Sequence, residues 1–416
     1  MKKALYDLAY GFRNAKPWKR IDEEDLFAVA LPGGQIGYCC LMGRNGEHMA
    51  LAVYVGEAGF SSYRTLMNYN TGRAMSDVNP VELLTQDCIQ CSIEARDQFS
   101  PEELEEIRAY CKASGVPFRA PFPQFTRFYP YCVPWHIAEP SDWQIIAAAL
   151  RITNRLEECL KTARKEEMGL RAVAVNLEGE FYIDSFGRHM RLFPSPQHAQ
   201  QKEAVTIPLY AMEEEELCVS RIPLPPYKAP AVQPPDHLDE IAIAKLRRLK
   251  QKDVFECEIM RLPEPVAGEP PYVPAILLSV NADTGFILPP VVSEGARYDP
   301  GEMLKEYIHC LLTEGVYPRQ IMVRTDETAT LLKPFCDLAH INFSVCRELD
   351  VLDEAAAALR ERKSRDSEIE QVISMLDQMS VEEMRQIPQS MLEQLLQTKE
   401  ILPVRIVGKI RKALKK

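Results

Sequence analysis

Long apolar runs are missing from this sequence of 416 residues. None approaches the ~20 residues a helix needs to cross a bilayer. The start Met1-Lys2-Lys3 is followed by Asp7, Arg13 and Lys16 with no hydrophobic signal core, so the expectation is a cytoplasmic protein with no membrane partner. Phosphate-cradling loops are missing too: there is no P-loop and no GxGxxG, and Gly33, Gly34 and Gly37 lack the spacing and the following helix. No GxSxG occurs, and Ser185-Phe186-Gly187 reads as an ordinary turn. Cys88-Ile89-Gln90-Cys91 is a lone CxxC, with no second pair and no HxxxH to complete a zinc site, and its strand-like setting does not suit redox chemistry at a helix start. The twelve cysteines lack the regular spacing of a disulfide framework, which predicts reduced, mostly buried thiols. His48, His136 and His189 stand isolated in the sequence, and no 20-to-50-residue repeat is evident. These absences leave no cofactor to expect.

Positive charge is also scarce, with a formal net charge of -11. Such a body repels polyanions, which argues against a general nucleic-acid coat protein. The last sixteen residues are the exception, carrying Arg405, Lys409, Arg411, Lys412, Lys415 and Lys416 and no acid. Lys409, Arg411, Lys412 and Lys415 are therefore the candidate polyanion contacts.

What is present is material for packed cores. A hydrophobic fraction of 46% and this length predict two or three domains. Residues 1–222 read as one α+β domain. Leu5, Leu8, Ala9 and Phe12 have helical spacing, and Phe27–Leu31 opens the β part. Gln35–Met42 and His48–Val55 form a hairpin about Gly43-Arg44-Asn45-Gly46, where asparagine and glycine accept positive φ. A helix is expected over Glu57–Asn68 and a strand over Asp87–Ile93. Ser100-Pro101-Glu102-Glu103 is a capping box that should start a helix ending before Gly115. Ser141 and Gln144 start the next, to about Lys165, and strands are expected over Ala172–Asn176, Glu180–Asp184 and Ala204–Tyr210. Between them, Phe118–Trp135 is rich in rings. Phe122, Phe125, Tyr129, Trp135 and His136 could line a groove for a peptide or stack on bases, although an irregular segment packing its rings into the core explains them more simply.

Six of the fourteen residues from Pro223 to Asp236 are proline. In polyproline geometry they would span on the order of 40 Å, a semi-rigid linker between domains. Residues 237–363 then read as an α/β domain. Leu238, Ile241 and Leu249 suggest a connecting helix and Val254–Leu262 a first strand. Pro274–Val280 and Phe286–Val292 form a hairpin about Asn281-Ala282-Asp283-Thr284-Gly285. Asp299, Pro300 and Glu302 open a helix that Gly315 closes. Ile321–Arg324, Glu327–Ala339 and Ile341–Val345 continue as strand, helix and strand. This order is the latter part of a ribonuclease-H-like arrangement, and many α/β domains share it. Residues 364–416 form an all-α appendage, after a helix over Leu352–Leu359, with capping boxes at Ser367/Glu370, Ser380/Glu383 and Ser390/Glu393 and a last helix from Pro403.

Gly37-Tyr38-Cys39-Cys40-Leu41-Met42-Gly43 and Leu51-Ala52-Val53-Tyr54-Val55-Gly56-Glu57-Ala58-Gly59, with Pro117-Phe118-Arg119 and Val133-Pro134-Trp135, resemble an uncharacterised bacterial domain family across most of residues 1–222. Residues 272–346, with Asn281-Ala282-Asp283-Thr284-Gly285 and Tyr317-Pro318-Arg319, are similar to a second. Neither resemblance implies a reaction or a catalytic residue.

A ribonuclease-H-like nuclease holds two divalent metals about 4 Å apart on carboxylates from separate elements. Asp326 at the end of a strand, Glu258 on the first strand and Glu306 on the helix are the candidate ligands here, with Asp350, Asp353 or Glu354 as a late one. That fold normally carries aspartate in its first strand, where this chain has Glu256 and Glu258. Asp283 suits a turn and Asp326 a helix N-cap. The primary expectation is a degenerate, non-catalytic domain that acts by binding a protein or small ligand. The alternatives are a Mg²⁺- or Mn²⁺-dependent nuclease or transposase-related enzyme, and nucleic-acid binding through the basic tail.

Overall fold

The computed structural model describes residues 2–70, 84–170, 173–175, 180–182, 206–226, 228, 233–262 and 264–359, and, toward the C-terminus, 376, 379–384, 386, 387, 389, 391, 392 and 404–414. Two compact units emerge: Met1–Pro235 with Met260–Ile276 and Val292–Met303, and Asp236–Ile259 with Leu277–Val291 and Leu304–Lys416.

The first unit is built on an eight-stranded sheet. Its strands are β1 (Phe27–Ala30), β2 (Ile36–Met42), β3 (Ala50–Val55), β4 (Cys88–Glu94), β5 (Phe122–Phe128), β6 (Trp135–His136), β9 (Thr206–Glu213) and β10 (Glu216–Pro223). They lie in the order β10-β9-β1-β2-β3-β4-β5-β6. Only β1 and β9 run parallel. β7 (Val173–Val175) and β8 (Glu180–Tyr182) form a separate antiparallel pair. Both faces of the sheet's middle are covered, which is why β2, β3 and β4 are apolar nearly throughout. On one face Phe27, Val29, Cys39, Leu51, Val53 and Cys91 pack against Leu5, Ala9 and Phe12 of α1 (Lys2–Ala15) and Ile146, Ala149 and Leu150 of the helix Pro140–Cys159. On the other, Ala28, Tyr38, Cys40, Tyr54 and Cys88 meet Phe60 and Tyr63 of α2 (Gly56–Asn70).

Local signals set most element ends. The capping box of Ser100 forms in full: its side chain accepts from Glu103 N–H at 3.2 Å, and Glu103 accepts from Ser100 N–H at 2.8 Å. Gly115, with φ 68°, closes that helix, α3 (Pro101–Ser114). Three expectations need correction. The helix Pro140–Cys159 (α4) starts on Pro140 after Glu139, not on Ser141, because proline's fixed φ suits the first helical position; it ends at Cys159 instead of near Lys165. In the β2–β3 turn positive φ falls on Gly43, Gly46 and His48 rather than Asn45. The ring-rich stretch is not irregular: Phe122–Phe128 pairs with β4 along its whole length. Glu213 and Glu216 pair at the ends of β9 and β10, with Glu214 and Glu215 as the turn between them.

Residues 260–276 belong to the first unit through backbone pairing. Val133 N–H donates to Pro271 O and Val273 N–H to Tyr131 O, each at 2.8 Å, and the Arg261 guanidinium lies 3.7 Å from the centre of the Tyr131 ring.

A five-stranded sheet, most of whose residues fall in the second unit, comprises β11 (Gln251–Arg261), β12 (Ala275–Asn281), β13 (Val291–Val292), β14 (Tyr317–Val323) and β15 (Asn342–Val345), ordered β13-β12-β11-β14-β15. β11 pairs parallel with β14, and β14 parallel with β15. The connecting elements are the helices α6 (Pro300–Thr313) and α7 (Asp326–Ala339), with α5 (Glu240–Leu246) before the sheet and α8 over 350–359 after it. The hairpin after β12 is shorter than expected. Asn281 Oδ1 accepts the N–H groups of Asp283 and Thr284, each at 3.0 Å, and Gly285 takes φ 70°, but only Val291–Val292 forms the return strand. In α5 the buried residues are Ile243 and Leu246, while Ile241 is exposed.

Toward the C-terminus the Ser380/Glu383 box forms, with bonds of 3.2 and 2.7 Å, ahead of α9 (Val381–Met384). Ile406, Val407 and Ile410 of α10 (Val404–Leu414) join Leu376, Met384 and Leu392 in a small core. Ser367/Glu370, Ser390/Glu393, Lys415, His189 and Ser185-Phe186-Gly187 lie outside the described residues.

Candidate functional site

Successive side chains of a strand point to opposite faces, and β11 uses the two faces differently. On one, Cys257 Sγ lies 3.0 Å from Ser279 Oγ and 3.5 Å from Tyr307 Oη, and Ser279 and Tyr307 are 3.2 Å apart. Tyr307 of α6 meets Phe335 of α7 edge-on. Burial pushes the Cys257 thiol up to about 11. Both helices therefore cover this face.

The other face carries Glu256 and Glu258, 5% and 6% exposed. Glu256 Oε2 accepts the Leu352 N–H at 2.8 Å and so caps α8. Because Glu256 pairs with Met322 across the parallel ladder, Glu258 falls opposite Arg324. The guanidinium of Arg324 binds both Glu258 oxygens, Nε to Oε1 at 3.3 Å and Nη2 to Oε2. The same guanidinium grips Asp353 of α8, Nη1 to Oδ2 at 2.9 Å and Nη2 to Oδ1 at 3.0 Å. Asp353 first, then Glu258, holds Arg324 well above the ordinary arginine range. Two carboxylates from separate elements are thus bridged by one bidentate cation, the geometry that arginine's planar fork favours.

The three carboxylates singled out in the sequence are not gathered. Glu258 is engaged by Arg324. Glu306 is exposed on α6, which covers the Cys257 face of the sheet. Asp326 is the exposed first residue of α7, whose N-cap is Thr325, with Thr325 Oγ1 accepting from Thr328 N–H at 3.3 Å. That corrects the expected N-cap; an acid in the first turn still suits the helix dipole. Asp350 and Glu354 are exposed. Among the described residues no group of three or more His, Cys, Asp or Glu side chains is arranged to hold a metal ion. The role of Arg324 had no signal in the sequence beyond its place at a strand end, since the strand register that sets it against Glu258 is a long-range property.

The remaining candidates are dispersed. Cys88 and Cys91, three apart on a strand, enter the cores on opposite faces of the sheet, so they cannot close on one ligand. Burial raises both thiols, Cys88 to about 12. Phe122 is fully buried, stacked on Phe118 and edge-on to Phe99, so it is removed from any binding surface. Phe125 packs between Tyr6 and Trp143, and Tyr129 lies under Arg127 at 4.3 Å. Trp135 and His136 adjoin at 5.1 Å, and His136 is exposed. Lys409 Nζ donates to Met379 O at 3.0 Å, while Arg411 and Lys412 are exposed. No helix among the described residues is long and apolar enough to cross a membrane.

No curated protein matches the sequence. Among solved structures, the HTLV-2 integrase catalytic core domain in complex with magnesium is similar at 14% identity over 39% of this chain and 83% of that one, with a TM-score of 0.21. Family models do match, in agreement with the resemblance to two uncharacterised families. Two domains of unknown function are found by their family models, DUF7309 over residues 3–172 and DUF6930 over residues 242–360.

Proposed function

We propose that residues 237–363 are a degenerate ribonuclease-H-like domain and that the chain acts without catalysis, by binding a protein or small ligand. The strand order β13-β12-β11-β14-β15, with its last two pairs parallel, supports the fold reading. The observation that carries the functional reading is the Arg324 bridge. Where a two-metal nuclease would collect carboxylates about divalent ions, here a guanidinium joins Glu258 and Asp353, and Glu256 is committed to capping α8. These residues do not fit a metal pair. A positive side chain between the carboxylates repels a cation, and Glu306 is exposed on α6, which covers the opposite face of the sheet.

Thermal unfolding of the full chain in millimolar Mg²⁺ or Mn²⁺ tests this. The expected result is an unchanged melting temperature, since a ligand that binds only the native state would raise it. A rise that Asp326→Asn abolishes, or nuclease turnover lost on one substitution at Glu258, Glu306 or Asp326, overturns the reading in favour of the metal-dependent enzyme.

A further inference from the structure

The first unit contains a cleft of about 240 Å³ whose lining includes Val55, Asp87, Ile89, Arg127, Asp142 and Ile145. One side is ionic. Arg127 Nη2 pairs with Asp87 Oδ1 at 2.7 Å, and Nε faces Asp142 Oδ2 at 3.3 Å. Arg127 Nη1 donates to Cys88 O at 3.0 Å, and the Tyr129 ring holds the guanidinium from one side. The pairing is incomplete. Among the described residues, Arg127 Nε is buried without an aligned acceptor, and Asp142, only 14% exposed, has no other side-chain partner.

Two carboxylates against one guanidinium leave a net negative charge in a concave, half-apolar site. Asp142 lies in the first turn of α4 and shares Arg127 with Asp87, and burial pushes its carboxyl up against the pull of Arg127. A cation completes the set where an anion would add to the excess. The volume falls below the ~300–1,000 Å³ of clefts for drug-sized ligands, which limits the occupant to a few heavy atoms. Val55, Ile89 and Ile145 offer an apolar wall to a short hydrocarbon chain.

We infer that this cleft binds a small aliphatic amine, its ammonium group against Asp142 and its alkyl chain along Val55, Ile89 and Ile145. The site lies in a different unit from the Arg324 bridge and does not depend on that reading.

Calorimetric titration of the full chain with butylammonium, butanol and butyrate tests it. Saturable binding of butylammonium, without comparable binding of the other two, is the expected result. Asp142→Asn should weaken it at least tenfold. Ser141→Trp, a bulky substitution at an exposed lining residue that takes part in neither ion pair, should abolish it. Circular dichroism identifies the variants that remain folded. No saturable amine binding by the wild-type chain, equal binding of the alcohol or the carboxylate, or undiminished binding by both folded variants overturns the proposal.

Discussion

Glu256 and Leu352, 96 residues apart, are joined by a 2.8 Å hydrogen bond from the Leu352 amide to the glutamate carboxylate. A strand side chain thereby caps a helix formed much later in the chain. Leu352 is fully buried, so its amide has no ready access to water. Glu256→Ala should therefore destabilise the second unit by about 1–2 kcal/mol, as loss of an N-cap does. Denaturant unfolding measures it, and a change within a few tenths of a kcal/mol would refute the capping role.

Arg324 and Glu258 should be energetically coupled. Removing one partner of a fully buried pair costs about 3–5 kcal/mol. Arg324 is 33% exposed, so solvent softens the loss, and Arg324→Met alone should cost about 2 kcal/mol. Adding Glu258→Met should restore much of that, because the stranded carboxylate is gone. A double-mutant cycle by chemical denaturation reads the coupling; strictly additive losses would show that the pair is incidental.

Glu157 is fully buried on α4, with Oε1 paired to Arg20 and Oε2 without a hydrogen-bond partner among the described residues. Burial raises its carboxyl above the ordinary 4.5, with Arg20 pulling the other way. The native state then holds this proton to higher pH than the unfolded chain does, so its contribution to stability falls as pH rises from 4.5 through the raised native value. Glu157→Gln removes that titration. Its melting temperature relative to wild type should climb between pH 4.5 and 7, and a flat difference across that range would contradict the assignment.

Gly37 on β2 has no room for a methyl group. A Cβ there would stand 2.9 Å from Leu31 Cδ1 and Val53 Cγ1 and 3.1 Å from Val29 Cγ2. Gly37→Ala should cost about 1–3 kcal/mol by overpacking, measured by thermal or chemical unfolding of the full chain. A neutral effect would mean that the three side chains can shift together.

Local chemistry made much of the fold legible. Ser100 and Glu103, Asp299 and Gly115 act through atoms within a few residues of themselves, so their sequence neighbours suffice to read them. The aromatic stretch misled because rings and prolines conceal a strand whose pairing partner, Cys88–Glu94, lies thirty-odd residues earlier. Among the site residues, Glu258 was visible as an acid in an apolar strand, but what it binds was not.

The sequence by itself determined where the helices capped by Ser100 and Asp299 begin, and that the CxxC would lie in a strand. Those properties depend on periodicity and on contacts within a turn or two. Only the tertiary structure decided that Cys88 and Cys91 part to opposite cores, that Phe122 is buried, and that Arg324 rather than Asp326 meets Glu258. Each depends on the register between strands distant in the chain, and a shift of one residue would send every side chain to the other face.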